Sequence, residues 1–256
     1  MKVIKASVSG FCFGVKRAVD AAEAAVIQEE NRNKKIYTLG PLIHNPIVLE
    51  QLENKGVHVL SAEDLTKAEK DSLVIIRAHG TTPGIICRLK QNGIRVLDAT
   101  CPRVHASQLL ANDWSLKGYT VIIAGDKNHG EVTGISGYAD NNVIVLQSAE
   151  EAERISVPQN AILLAQTTFS PKEFSKIQEV LVKKNSSIQV FNTICNATMQ
   201  RQNALKEVAV KADAIIVIGG KSSANTIRLF DIAKKNCKLL QLLIFFFINS
   251  SCFSCR

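Results

Sequence analysis

Residues 96–107 read VLDATCPRVHAS. A short apolar run ends at Cys101, and Pro102 opens a helical stretch, since proline is at home in a helix's first turn. The same local setting occurs twice more. Cys12 stands in VSGFCFGVKRAV (residues 8–19) and Cys195 in VFNTICNATMQRQ (residues 190–202), so the three cysteines lie 89 and 94 residues apart. That spacing is one cysteine per domain-sized unit of a repeated α/β chain. A thiol at a helix N-terminus meets free backbone N–H groups and the positive dipole end, which favour the thiolate, the form that ligates metal. Three such thiolates from three similar units can meet at one point and hold a single iron–sulfur cluster with one iron left open.

Working outward, apolar runs alternate with helix-length segments almost to the end of the chain. Strand-like runs are KVIKAS, KIYTLG, SLVIIRAH, RVLDAT, YTVIIAGD, NVIVLQ, NAILLAQT, SIQVFNT and AIIVIGG. Their β-branched, two-sided apolar character predicts parallel strands covered on both faces. Between them, Asn45-Pro46, Thr82-Pro83 and Ser170-Pro171 mark helix starts, and Asn196 is a further cap candidate. The pattern predicts an α/β fold of three similar small αβα units, with mostly parallel sheets around a central cluster site. The units span residues 1–97, 98–190 and 191–256, and the third is incomplete. The run Leu239–Ile248 is apolar apart from one glutamine, too short for a membrane span of about 20 residues. It is read as an aberrant or truncated C-terminus after about residue 238, with a final buried strand as the alternative.

Composition narrows the function. The chain has 256 residues, 46% hydrophobic and 21% charged, the balance of a globular enzyme. MKVIKASVSG carries no signal-like segment, so a cytoplasmic protein with reduced thiols is expected. Cys87, in GIICRLK, is expected to be plain core; Cys237, Cys252 and Cys255 receive no functional reading. A net charge of +8 suits an anionic small molecule, an acidic protein partner or a nucleic acid. With three tyrosines, one tryptophan and scattered basic residues, no stacking platform for nucleic acid is expected.

Ligands of open α/β sheets bind beyond the carboxyl ends of the strands. Three of the five histidines fall there, in loops directly after apolar runs: His44 in TLGPLIHNP, His79 in IIRAHGTTPG and His129 in AGDKNHGEVTG. They are candidate hydrogen-bond donors to a phosphate-bearing ligand, whereas His58 and His105 are read as structural. Glu131 is a candidate proton donor, and Thr167 a relay or a cap. The GGKSSANT stretch, with Ser223, Ala224 and Asn225, offers backbone and hydroxyl donors at a helix start. Neither a P-loop nor a GxGxxG is present.

In this order, GFCFGV, GPLIHN, RAHG, DATCP, KNHGEV, QTT, TICNAT and GGKSSANT resemble the 4-hydroxy-3-methylbut-2-enyl diphosphate reductase family over about residues 1–238. The resemblance implies reductive dehydroxylation of the allylic diphosphate to isopentenyl and dimethylallyl diphosphate in the non-mevalonate isoprenoid route. It implies a 4Fe-4S cluster on Cys12, Cys101 and Cys195, and an acidic electron donor such as a ferredoxin or flavodoxin. Glu131 would be the proton source, assisted by Thr167. His44, His79, His129, Thr167, Ser223, Ala224 and Asn225 would bind substrate. Two departures stand out: Ala224 replaces a usual serine, and the apolar tail replaces a further strand, helix and serine-bearing loop. The alternatives are a non-redox iron–sulfur dehydratase acting on a phosphorylated molecule and a basic nucleic-acid-binding module.

Overall fold

A computed structural model describes residues 2–28, 31, 33–140, 142–220, 223–236 and 239–243. Two four-stranded sheets, entirely parallel, lie within residues 36–190. The first comprises β1 (Ile36–Leu39), β2 (Val57–Leu60), β3 (Leu73–Ile76) and β4 (Arg95–Asp98), in the order β2-β1-β3-β4. The second repeats that order with β5 (Thr120–Ala124), β6 (Val143–Leu146), β7 (Ala161–Ala165) and β8 (Gln189–Val190), as β6-β5-β7-β8. A third sheet pairs β9 (Ala214–Ile218) with β10 (Leu239–Leu243), also in parallel.

Helices cover both faces of the two larger sheets, and for that reason their central strands are apolar throughout. Successive side chains of a strand point to opposite faces. Leu73 and Ile75 of β3 pack with Ala18, Ala22 and Ala25 of α1 (Phe13–Ile27) and Leu52 of α2 (Pro46–Asn54). Val74 and Ile76 turn the other way, toward Leu89 of α3 (Pro83–Gln91). In the second sheet Ala161, Leu163 and Ala165 face α7 (Pro171–Lys184), while Ile162 and Leu164 meet Ala111 of α4 (Pro102–Leu116) and Ile135 of α5 (Gly130–Ser136). A short helix, α6 (Ala149–Arg154), joins β6 to β7. The Asn-Pro and Ser-Pro starts act as read: the Asn45 side chain accepts from the Ile47 N–H at 3.1 Å, and Ser170 from the Glu173 N–H at 3.4 Å.

The third sheet differs. Ile215 and Val217 of β9 pack against Leu205 and Ala209 of α8 (Asn196–Ala209) and Ala233 of α9 (Ala224–Asn236). Ile216 and Ile218 are 56% and 64% exposed, so among the described residues β9 is covered on one face only. Other readings need correction. KVIKAS forms no strand, and its Val3 is 81% exposed; SIQVFNT contributes only the two residues of β8. Cys87 is exposed rather than core. In α3 the inward row holds Ile85 and Leu89, and Cys87, midway between them, points to the opposite side. Leu239–Leu243 forms a strand, the alternative reading of that run; the rest of the tail, Ile244–Ile248 with Cys252 and Cys255, and also Cys237, lies outside the described residues. Among the described residues no helix is long and apolar enough to cross a membrane.

Leu163, fully buried at the centre of β7, tests this packing. Leu163→Ala is expected to cost about 2–5 kcal/mol in urea unfolding. Val210→Ala, at a position 87% exposed, should stay within about 0.5 kcal/mol of the parent chain.

Candidate active site

Cys12, Cys101 and Cys195 are the N-cap residues of α1, α4 and α8, and none of their side chains is spent on a capping hydrogen bond. The cap of α8 is thus Cys195 rather than Asn196. All three thiols are half-buried and free. Ties between the units bring them together. Arg17 of α1 donates to the Thr100 carbonyl at 2.7 Å, next to Cys101, and Arg201 of α8 donates to the Gly10 carbonyl at 3.1 Å, two residues before Cys12. The Cys195 N–H donates to the Thr167 carbonyl at 2.8 Å. Helix α1 reaches Cys101 so closely that a Cβ on Gly14 would lie 2.5 Å from the Cys101 Sγ. Burial raises the Cys101 pKa against the lowering pull of the Arg103 and Val104 N–H groups, and the neighbouring Cys12 and Cys195 raise it further.

Beside the thiols, the three loop histidines form one cluster. Ring centroids are 5.0 Å apart for His44 and His79, 5.1 Å for His79 and His129, and 6.4 Å for His44 and His129. Burial lowers all three pKa values, that of His129 to about 4 and that of His79 well below the ordinary range, with Arg77 lowering each further. The imidazoles are therefore neutral at pH 7. The Glu131 N–H donates to the His129 Nδ1 at 3.2 Å, which leaves the proton on Nε2 as a donor. Buried His79 Nδ1 has no partner among the described residues, a costly state for a polar atom unless a ligand completes it.

Glu131 sits in the first turn of α5, 2% exposed. It accepts from the Thr167 N–H at 2.6 Å and from the Thr167 hydroxyl at 2.8 Å. Burial raises its pKa to about 7 despite these bonds and the attraction of Arg228. Its proton is thus exchangeable near neutral pH. From the third unit, Ser223 caps α9, its Oγ accepting from the Thr226 N–H at 3.4 Å. A Cβ on Gly220 would overlap the His44 carbonyl oxygen, so this loop packs directly on the histidine cluster. Ala224 is buried and Asn225 half-buried at the same helix start. The site residues read from the sequence thus fall into linked groups: thiols, histidines, the Glu131–Thr167 pair and the Ser223 loop.

Two arginines went unread. Arg228 of α9 is half-buried; it donates to the Thr168 carbonyl, reaches Asp126 at 3.2 Å and covers the Phe169 ring at 5.4 Å. It locks α9 onto the loops that carry His129 and Thr167. Nothing in the local pattern of TIRLFD distinguishes it from a surface arginine. Arg77 had a signal, a charged residue directly after the all-buried run LVII, and its guanidinium lies between Gly40 and Gly130.

Parallel α/β sheets with thiols, neutral imidazoles and a proton-bearing carboxyl gathered at their loops define an enzyme that acts on a small molecule. Residues 3–243 match the LytB protein family, a match that runs through β10. The 4-hydroxy-3-methylbut-2-enyl diphosphate reductase of Treponema denticola is 48% identical over 242 residues, covering 91% of this chain and 83% of the relative. That of Thermoanaerobacter sp. strain X514 is 44% identical over 238 residues, covering 93% and 82%. Among solved structures, the reductase of Plasmodium falciparum superposes with a TM-score of 0.83 at 30% identity, covering 91% of this chain and 73% of that one. The chain belongs to the LytB family and is a reductase.

The Glu131 carboxyl gives a sign-definite test. It keeps its proton to about pH 7 in the fold, whereas an unfolded glutamate releases it near 4.3. Over that window the folded state holds more protons, so stability falls as pH rises through 7. Glu131→Gln should therefore gain on the parent chain by on the order of 3 kcal/mol between pH 4 and pH 8 in urea unfolding. A gap that does not change with pH would contradict the burial argument.

Proposed function

We propose that the chain reduces 4-hydroxy-3-methylbut-2-enyl diphosphate to isopentenyl and dimethylallyl diphosphate, with a 4Fe-4S cluster held by Cys12, Cys101 and Cys195. The donor set fits such a group. Thiolate is its ligand type, the three thiols are free and half-buried, and Cys12 and Cys195 raise the cost of charge on Cys101. Among the described residues the three histidines form a group whose donor atoms lie mutually within 4.8 Å, and the thiols of Cys12 and Cys195 lie close enough to Cys101 to act on its charge. The histidines suit an anion better than a metal cation, because the Nδ1 of His129 is engaged and its Nε2 carries hydrogen. When bound, the cluster supplies the two electrons of the reaction.

The remaining work falls to the chain's own residues. His44, His79 and His129, together with Ser223, Asn225 and the backbone at Ala224, donate hydrogen bonds to the diphosphate and fix the allylic chain in one direction. Glu131 carries the proton that leaves with the substrate's hydroxyl as water when the C–O bond breaks. Thr167 holds that carboxyl in place through two hydrogen bonds. Two electrons and a second proton complete the new C–H bond. The observation that carries this reading is the buried carboxyl with a pKa of about 7 beside three neutral imidazoles. A net charge of +8 suits an acidic ferredoxin or flavodoxin as donor, in the cytoplasm. The three units at 1–97, 98–190 and 191–256 each bring one cysteine to the centre.

Anaerobically reconstituted protein should turn over the allylic diphosphate only when a reductant is supplied; turnover without one would mean a dehydratase. Glu131→Gln should keep KM and lose most of kcat, the sign of an interaction made in the transition state. Parent kcat should fall above about pH 7 as Glu131 loses its proton. A Glu131→Gln variant with normal kcat and raised KM would make this residue a binding group instead.

A further inference from the structure

We propose that Arg77 is a further substrate-positioning residue, whose guanidinium supplies the positive charge that holds the diphosphate against the three histidines. The proposal rests on the diphosphate reading above. Arg77 follows β3 directly, two residues before His79, and is half-buried. A Cβ on Gly130, the neighbour of His129, would overlap Nη2 and lie 3.0 Å from Cζ. A Cβ on Gly40, in the loop that leads to His44, would lie 3.1 Å from Nη1. The guanidinium is therefore threaded between the three histidine loops through space that two glycines leave open.

Its partners make it unusual. Arg228 has Asp126 and the Thr168 carbonyl; Arg17 and Arg201 have the Thr100 and Gly10 carbonyls. Among the described residues no hydrogen bond or ion pair involves the Arg77 side chain; its carbonyl accepts from the Gly80 N–H at 2.9 Å. Burying a cation without a counter-charge is costly, and a side chain that only filled space would need no five N–H donors. The histidine cluster is a set of neutral donors; it can orient a diphosphate and cannot neutralise it. A planar guanidinium stays charged at any pH the protein meets and presents paired N–H groups that match two phosphate oxygens. The partnerless Nδ1 of His79, two residues along the chain, independently marks this cluster as one that a ligand completes.

Gly130→Ala is the informative variant. Gly130 lies in the first turn of α5 with no positive φ, so alanine suits the helix. The three nearest atoms its Cβ would meet all belong to the end of the Arg77 side chain. It should fold normally while pushing the guanidinium aside. The experiment titrates inorganic pyrophosphate into reconstituted full-length protein at fixed ionic strength, and measures KM, kcat and Tm of each variant. Arg77→Gln should weaken pyrophosphate binding about tenfold to hundredfold, the loss of a hydrogen bond to a charged group. KM should rise in step and kcat should stay within a few fold. Arg77→Lys should recover part of the affinity, and Gly130→Ala should resemble Arg77→Gln at an unchanged Tm. The double variant Arg77→Gln/Gly130→Ala should be no weaker than either single one. Pyrophosphate affinity equal in the parent and Arg77→Gln chains, or additive losses in the double variant, would overturn the role of Arg77. A parent chain that binds pyrophosphate through Arg77 yet does not reduce the allylic diphosphate would overturn the reductase reading and leave the role of Arg77 standing.

Discussion

The rest of the site depends on how closely three helix N-termini approach one another. Cys12, Cys101 and Cys195 cap α1, α4 and α8, and the approach of α1 to Cys101 is possible only because residue 14 lacks a side chain. Thiolates brought together repel, and the raised Cys101 pKa records that cost alongside burial. The chain offsets it with fixed backbone donors and with arginines that stitch each cysteine loop to another unit, Arg17 to Thr100 and Arg201 to Gly10.

Around that centre, charge is graded by burial. Imidazoles stay neutral, a carboxyl keeps its proton to about pH 7, and guanidinium groups remain charged. Low dielectric makes each hydrogen bond in such a pocket stronger and each missing partner more expensive. Glu131 is held by Thr167 from the second sheet, and Arg228 of α9 pins the third unit against the same loops. In the proton-donor role proposed for it, a carboxyl fixed in this way needs little reorganisation.

Much of this was legible in the sequence because the repeat is both physical and chemical. Two-sided apolar runs such as LVII and AILLA can only be central parallel strands, and both are. The three histidine loops follow β1, β3 and β5, and Cys101 and Cys195 lie beyond β4 and β8, so the sheets bring most of the site together; Cys12 has no such strand before it. Where reading failed, the controlling facts were tertiary. KVIKAS has strand composition but finds no neighbour to pair with, and Cys87 lies on an apolar-looking helix whose buried row passes it by. The Leu239–Leu243 run shows no period of its own and left two readings open; its strand comes from pairing with β9. Arg228 matters through Asp126 and Thr168, residues about 100 and 60 positions away, a distance no local pattern spans.

The account stands on one cluster shared by three units, and its iron and sulfide content is the most direct measure. Anaerobically reconstituted parent protein should hold roughly four irons and four acid-labile sulfides per chain with thiolate-to-iron absorption. Cys12→Ser, Cys101→Ser and Cys195→Ser should each lose most of both, and Cys87→Ser should lose neither. Full iron and sulfide retention in all three of the first variants would contradict a shared cluster.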